Sequence, residues 1–174
     1  MPETKMAPMT SHSDFYLKMG DIKGESLDDK HKGEIDLISF KFGVRQPGAA
    51  SGVGAGAGVG KAQFHEFSFE KRVDAASAKL MLACASGQHF PEATLTCRRA
   101  GGTQAEYFKI KLEEVLVSGY ECTGGETDFK DTLPIDTFHL NYSKISVNYK
   151  AQNADGSEGA NTQTGWDLKA NKKV

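Results

Sequence analysis

The glycine-dense run at residues 48–60 is the first place in this chain to look for chemistry. Gly52, Gly54 and Ala57 satisfy the spacing G-x-G-x-x-A, and Gly60-Lys61 closes the run as a phosphate-binding loop would. That chemistry needs backbone N–H groups at the start of a helix, whose dipole favours the phosphate. Here the residues after Lys61 read as another strand. Ala55 stands where a Walker loop has its first glycine, and Ala62 where it has the hydroxyl that holds magnesium. Cys84, His89 and Cys97 raise the question of zinc. Cys84 falls in an apolar helical stretch and Cys97 in a strand, where thiols are commonly packed. There is no C-x-x-C pair, and a tetrahedral site needs four ligands or three and a water. His12, His31, His65, His89 and His139 accompany no nucleophile motif, with His65 and His139 placed in strands. The adjacent Glu113 and Glu114 would point to opposite faces of a strand, which suits a bulge better than an acid/base pair. Trp166, in a polar stretch, is expected to dock on its own domain or on a neighbour. These readings leave no catalytic residue, metal or cofactor to expect.

The elements are mostly strands. Residues 14–19 alternate, with Phe15, Leu17 and Met19 on one side. Residues 20–34 are glycine-bearing and charged and read as a long loop, a kind that is usually functional or disordered. Residues 34–45 form the strongest strand pattern. Ile38, Phe40, Phe42 and Val44 share one face, Ser39, Lys41, Gly43 and Arg45 the other, and Pro47 ends it. A strand resumes over 63–73 with Phe67 and Phe69 on one face. Residues 74–87 are the one good helix, capped by Asp74 or Ser77 at its start and Gly87 at its end. Its Leu80-Met-Leu-Ala-Cys-Ala85 is apolar nearly all round, so cover on several sides is expected. Ala93 to Arg99, a Gly101-Gly102 turn and Tyr107 to Tyr120 read as a hairpin with a bulge or bend at Glu113-Glu114. Leu133 to Tyr149 reads as one long strand whose phase shifts near Ser143-Lys144. Residues 151–174 are polar. The pattern predicts a mainly β fold, two antiparallel sheets forming a β-barrel with one α-helix.

Length and composition bound the rest. The 174 residues suffice for one core, expected to be a domain over 14–174 behind a loose tail at 1–13. Twenty-one Lys and Arg against 23 Asp and Glu give a net charge of −2, which offers no global reason to expect nucleic acid. No apolar run is long enough for a membrane span, and the first residues carry no signal-peptide core. Three cysteines, an odd number, argue against a disulfide framework and for a reducing compartment.

Several motifs in order then give the sequence a resemblance. They are Gly20-Asp-Ile-Lys-Gly-Glu-Ser26 with His31 and Glu34-Ile-Asp36, then Phe67-Ser-Phe69. They continue with Lys79-Leu-Met-Leu-Ala-Cys-Ala85-Ser-Gly87-x-His89, then Leu95-Thr96 with Arg99-Ala-Gly-Gly102. Val115-Leu-Val-Ser118 and Lys169-Ala-Asn171 after Gly165-Trp166 complete the set. From about residue 14 to the C-terminus the chain resembles the haemolysin-coregulated protein (Hcp) family of type VI secretion systems. It departs in a longer N-terminal tail and in the Gly/Ala-rich stretch at 48–60.

The resemblance implies a two-sheet barrel like that of phage tail-tube proteins and a homo-hexameric ring stacking into a hollow tube. Its implied partners are the type VI sheath and spike proteins and small effectors carried in the lumen. It also implies a bacterial cytoplasmic protein before firing, exported afterwards through the apparatus without a signal peptide. Some members carry an enzymatic domain after the barrel; residues 151–174 are too short for one, so a tube subunit alone is expected. In a hollow ring one face of an inner strand meets the core and the other meets water or cargo. Ser39, Lys41 and Arg45 are therefore lumen candidates, and the loop at Gly124, Gly125 and Glu126 is a second one. The glycine-rich loop, with Gly48, Gly52, Gly54, Gly56, Gly58, Gly60 and Lys61, is expected to lie against another subunit, as is the 20–34 loop. The alternative is a monomeric small β-barrel binding module.

Overall fold

The computed structural model describes residues 13–47, 60–100, 104–125 and 133–174. Its strands run β1 (Ser13–Met19), β2 (Ile35–Leu37), β3 (Ser39–Lys41), β4 (Val44–Arg45), β5 (Gln63–Phe64) and β6 (Phe67–Arg72). After α1 (Ser77–Ser86) come β7 (His89–Arg99), β8 (Glu106–Thr123), β9 (Ile135–Asn141), β10 (Lys144–Gln152), β11 (Glu158–Asp167) and β12 (Lys172–Lys173). All the strand pairs are antiparallel. The fold is mainly β, with one α-helix among the described residues.

The long strand β8 joins two layers. Its first half pairs with β10 as far as Glu113, and its second half pairs with β9 from Leu116 onward. The corner falls at Glu114, whose φ of 52° is a left-handed value. Of the bulge or bend expected at Glu113-Glu114, the structure has a bend: the β7 ladder keeps its register there, and the bulge in the β9 ladder falls between Val117 and Gly119. One layer then reads β2-β1-β7-β8 and the other β8-β9-β6-β3. Their far ends, β2 and β3, are consecutive pieces of chain, so the path returns on itself as a barrel; β10, β11 and β12 extend from β8 as a wing.

That closure breaks the strand expected over 34–45. β2 pairs with β1 while β3 pairs with β6, and the change occurs at Ile38, whose N–H donates to Glu70 O at 2.8 Å. The turn from one layer to the other takes Ile38 and Val44 out of the core: they are 41% and 56% exposed, and only Phe40 and Phe42 pack against it. The expected strand over 133–149 is likewise two, because β9 serves one layer and β10 the other. Residues 63–73 divide into β5 and β6, with His65 between them and outside a strand, and β11 and β12 lie in the stretch read only as polar.

Aromatic rings tie the layers together. Phe138, Phe69 and Phe67 stack at centroid spacings of 5.1 and 4.6 Å, and Phe42 stacks on Phe67 at 5.0 Å. Phe40 then meets Phe15 of β1 edge-on at 5.2 Å. Such pairs stabilise by about 0.5–1.5 kcal/mol beyond their area. Helix α1 starts later than expected. Its N-cap is Ala76, which makes no side-chain cap, while Asp74 Oδ1 accepts from the Ala76 N–H at 2.8 Å. Gly87 ends it in the left-handed conformation, as its position predicts. Only Ser77, Leu80 and Ala83 are buried; Met81 and Leu82 face outward, so this chain alone does not cover the helix on several sides.

Candidate functional site

Alternation along β6 and β9 divides their side chains into two sets. Phe67, Phe69 and Lys71 point inward and meet Leu140, Phe138 and Asp136 in register. Ser68, Glu70 and Arg72 take the other face, opposite His139, Thr137 and Ile135. β3 adds Ser39 and Lys41 to that face, and β8 adds Gly119, Glu121 and Thr123. The result is a four-stranded face of short polar and charged groups laid over an aromatic layer. Ser39 Oγ donates to Glu70 Oε2 at 2.7 Å across the β3–β6 pair, and Lys41 is exposed beside Ser68. His139 lies across Gly119, where an added Cβ would come within 2.9 Å of its Cδ2. A side chain at Gly119 would therefore displace the ring.

Beneath this face sits a buried ion cluster. Lys71 Nζ is 2.9 Å from Asp136 Oδ2, 2.6 Å from Asp74 Oδ1 and 3.0 Å from Ser77 Oγ. Ser77 Oγ and Tyr120 OH donate to the two oxygens of Asp136 at 2.5 and 2.8 Å. Burial works to raise the Asp136 carboxyl, but the hydrogen bonds from Ser77, Lys71 and Tyr120 outweigh it and hold the group below its usual value. A lysine beside a serine is the geometry of some nucleophilic sites. Here the Ser77 hydroxyl is buried, accepts from Lys71 Nζ and donates to Asp136, so it is not presented to a substrate. The cluster instead fixes the start of α1 to β6 and β9.

The 20–34 loop carries a second cluster on the opposite layer. Ile22, Ser26 and His31 are buried. His31 stacks on Tyr16 at 4.4 Å, and its Nδ1 is 2.9 Å from Glu34 Oε2. Its Nε2 lies 3.3 Å from Glu106 Oε1, off the line of a hydrogen bond. Arg98 donates to Asp28 and, at 3.2 Å, to Tyr16 OH. The Arg98 hydrogen bond holds the Asp28 carboxyl below the usual range. The loop expected to lie against another subunit is strapped to its own barrel as well, because its polar groups find partners there.

Of the residues singled out from the sequence, Ser39 and Lys41 share the polar face, while Arg45 lies on the separate β4–β5 ribbon. Gly60 and Lys61 are exposed at the foot of that ribbon, where Gln46 Nε2 donates to Gly60 O. Gly48, Gly52, Gly54, Gly56, Gly58 and Glu126 lie outside the described residues; Gly124 and Gly125 are exposed just past the end of β8. Trp166 packs part-buried on its own barrel. Cys84, Cys97 and Cys122 are free thiols, and no group of metal-ligating side chains occurs among the described residues. No helix among them is long and apolar enough to cross a membrane. The sequence reading missed Lys71 and Asp136, although both fall on the inward phase of otherwise apolar strands.

Comparison with known proteins adds four findings. A family model described as "Type VI secretion system effector, Hcp" matches residues 16–149. The chain is 40% identical over 162 residues to Protein hcp1 of Pseudomonas aeruginosa, across 91% of this chain and 96% of that protein. Among solved structures it is similar to one described as a type six secretion system protein, with a TM-score of 0.87 and 32% identity over 94% of this chain and 100% of the other. It is also similar to Hcp1 from Salmonella typhimurium, with a TM-score of 0.75 and 30% identity over 93% of this chain and 99% of that one.

Proposed function

The chain belongs to the Hcp family of type VI secretion proteins, a structural and secreted family, and on that footing we propose that it is a subunit of the inner tube. Copies close head-to-tail into a six-membered ring, and rings stack into a hollow tube. Sheath and spike proteins drive the tube from the cytoplasm to the outside, and small effector proteins ride in its lumen. The subunit catalyses no reaction in this reading.

The observation that carries the proposal is the polar face of β3, β6, β9 and β8. A strand face holding Ser39, Lys41, Ser68, Glu70, Thr137 and His139 above a layer of Phe67, Phe69, Phe138 and Leu140 suits water and loosely held cargo. Its near-balance of charge, Lys41 and Arg72 against Glu70 and Glu121, favours no single cargo sign. The exposed Met81 and Leu82 of α1 offer apolar surface of the kind a neighbour can cover. Native mass spectrometry at micromolar concentration tests the ring: a hexamer is expected. A monomer at every concentration sinks the proposal and returns the chain to a single-copy binding module.

A further inference from the structure

Two parts of this chain present backbone groups that the described residues do not satisfy. β11 pairs with β10 along one edge, but along the other β12 covers only Trp166 and Asp167. The Val174 N–H donates to Gly165 O at 3.2 Å, so the polar groups of Gly165 point to the outer edge. By alternation those of Gln163 and Asn161 point the same way, and among the described residues nothing meets them. The edge carries none of the usual guards. Residues 159–165 read Gly-Ala-Asn-Thr-Gln-Thr-Gly, with no Lys, Pro or charge.

The second part is the β4–β5 ribbon, which stands apart from the main sheet with two residues on each strand. The His65 N–H donates to Gly43 O at 2.9 Å, so by alternation Arg45 and Gln63 bond across the ribbon and the Val44 backbone points outward. Its side chain is also 56% exposed. An isolated ribbon this short is marginal at best in water; here Phe64 packs on the core and Tyr142 OH donates to His65 O at 3.0 Å, and the Val44 edge stays bare.

We propose that the two complete each other between copies: the Val44 edge of one subunit's ribbon adds as a strand to the open β11 edge of its ring neighbour. The inference rests on the ring reading above and names the contact that closes it. Pairing β11 with β11 of a second copy would use the same surface twice and stop at a dimer. A ring needs two different complementary surfaces, and the β11 edge and the ribbon are such a pair. The residues brought together, Asn161 and Gln163 against Val44, put no like charges opposite each other.

Gln163→Pro removes the outward N–H without touching the β10 ladder, since proline is tolerated on a free edge. Val44→Pro removes the matching donor on the ribbon. Asn161→Lys with Gln163→Lys guards the same edge without altering the backbone. Each should raise the concentration at which rings dissociate about tenfold or more in native mass spectrometry over a dilution series. Circular dichroism checks that the subunit stays folded. Combining Gln163→Pro with Val44→Pro should do no more harm than the worse single change, because both remove one contact. Wild-type assembly by the variants, or losses that simply add, overturns the strand exchange while leaving the ring standing. A wild-type chain that never assembles overturns the ring reading itself.

Discussion

Removing the Asp136 carboxylate should be among the most damaging single changes in this fold. The Lys71 side chain is fully buried, with its ammonium 2.9 Å from Asp136 and 2.6 Å from Asp74. Asp136→Ala leaves that ammonium with one carboxylate, and it strands the hydroxyls of Ser77 and Tyr120. Breaking a buried pair from one side costs about 3–5 kcal/mol, because the buried charge is left short of a partner that water cannot replace. For a chain of this size that is a fall in Tm of roughly 6–20 °C. Urea unfolding and calorimetry read the two numbers directly. Lys71→Met with Asp136→Leu should recover part of the loss, since the buried ammonium goes with its partner, while Asp74 keeps the Ala76 N–H. Acid gives a third arm. The folded state holds the Asp136 carboxyl below its ordinary value, so its contribution is present above the unfolded pKa of about 3.9 and is lost as pH falls through the folded one. Asp136→Ala should therefore flatten the acid limb of the stability curve. A loss under about 1 kcal/mol in the single variant would refute the reasoning.

Ser39→Trp, which replaces the hydroxyl bonded to Glu70 with a bulky ring on the polar face, should impair effector pull-down while native mass still reads a ring. Unchanged cargo binding would move the lumen surface elsewhere; Glu126→Arg is the parallel test for the loop after β8. Deleting residues 49–59 should leave a folded barrel, since none of the described core lies there, but weaken ring or tube formation by sedimentation. Arg98→Ala should speed hydrogen exchange across residues 20–34 by tenfold or more, because it frees Asp28 and Tyr16 together; unchanged protection would show that the strap is held elsewhere. Acid should loosen the same segment. The Asp28 carboxyl is held below its ordinary value, so its hold is present at neutral pH and is lost as pH drops below about 4.

Much of the polar face could be read from alternation alone, because period two separates Ser39 and Lys41 from Phe40 whatever the tertiary context. Period cannot report where a strand changes partner. Ile38 and Val44 keep the phase of Phe40, yet lie outside the core because the chain crosses between layers at one and leaves the main sheet at the other. The same blindness joined β9 to β10, whose phase shift was visible at Ser143-Lys144 but whose division between layers was not. β11 was hidden by composition: its Asn, Thr and Gln side chains are exposed, so no apolar face marks it. The 20–34 strap was hidden because charge reads as loop, and only coordinates show that Asp28 and His31 have partners 70 and 75 residues away at Arg98 and Glu106.

Lys71 is the residue where stability and function meet. It stands between Glu70 and Arg72 on β6, so its inward direction is what sends those two outward. A slip of one residue between β6 and β9 would turn Lys71 to solvent and drive Glu70 into the aromatic layer around Phe69 and Phe138. The buried partners Asp136 and Asp74 oppose that slip more strongly than apolar packing could, because a phenylalanine or leucine tolerates displacement that an ammonium does not. A buried ion pair adds little net stability over apolar residues of the same shape, but it penalises every arrangement that separates the charges. On this reading Lys71 and Asp136 sit in the barrel to fix which side chains of β6 and β9 look outward, and thereby the chemistry of the face proposed to meet cargo.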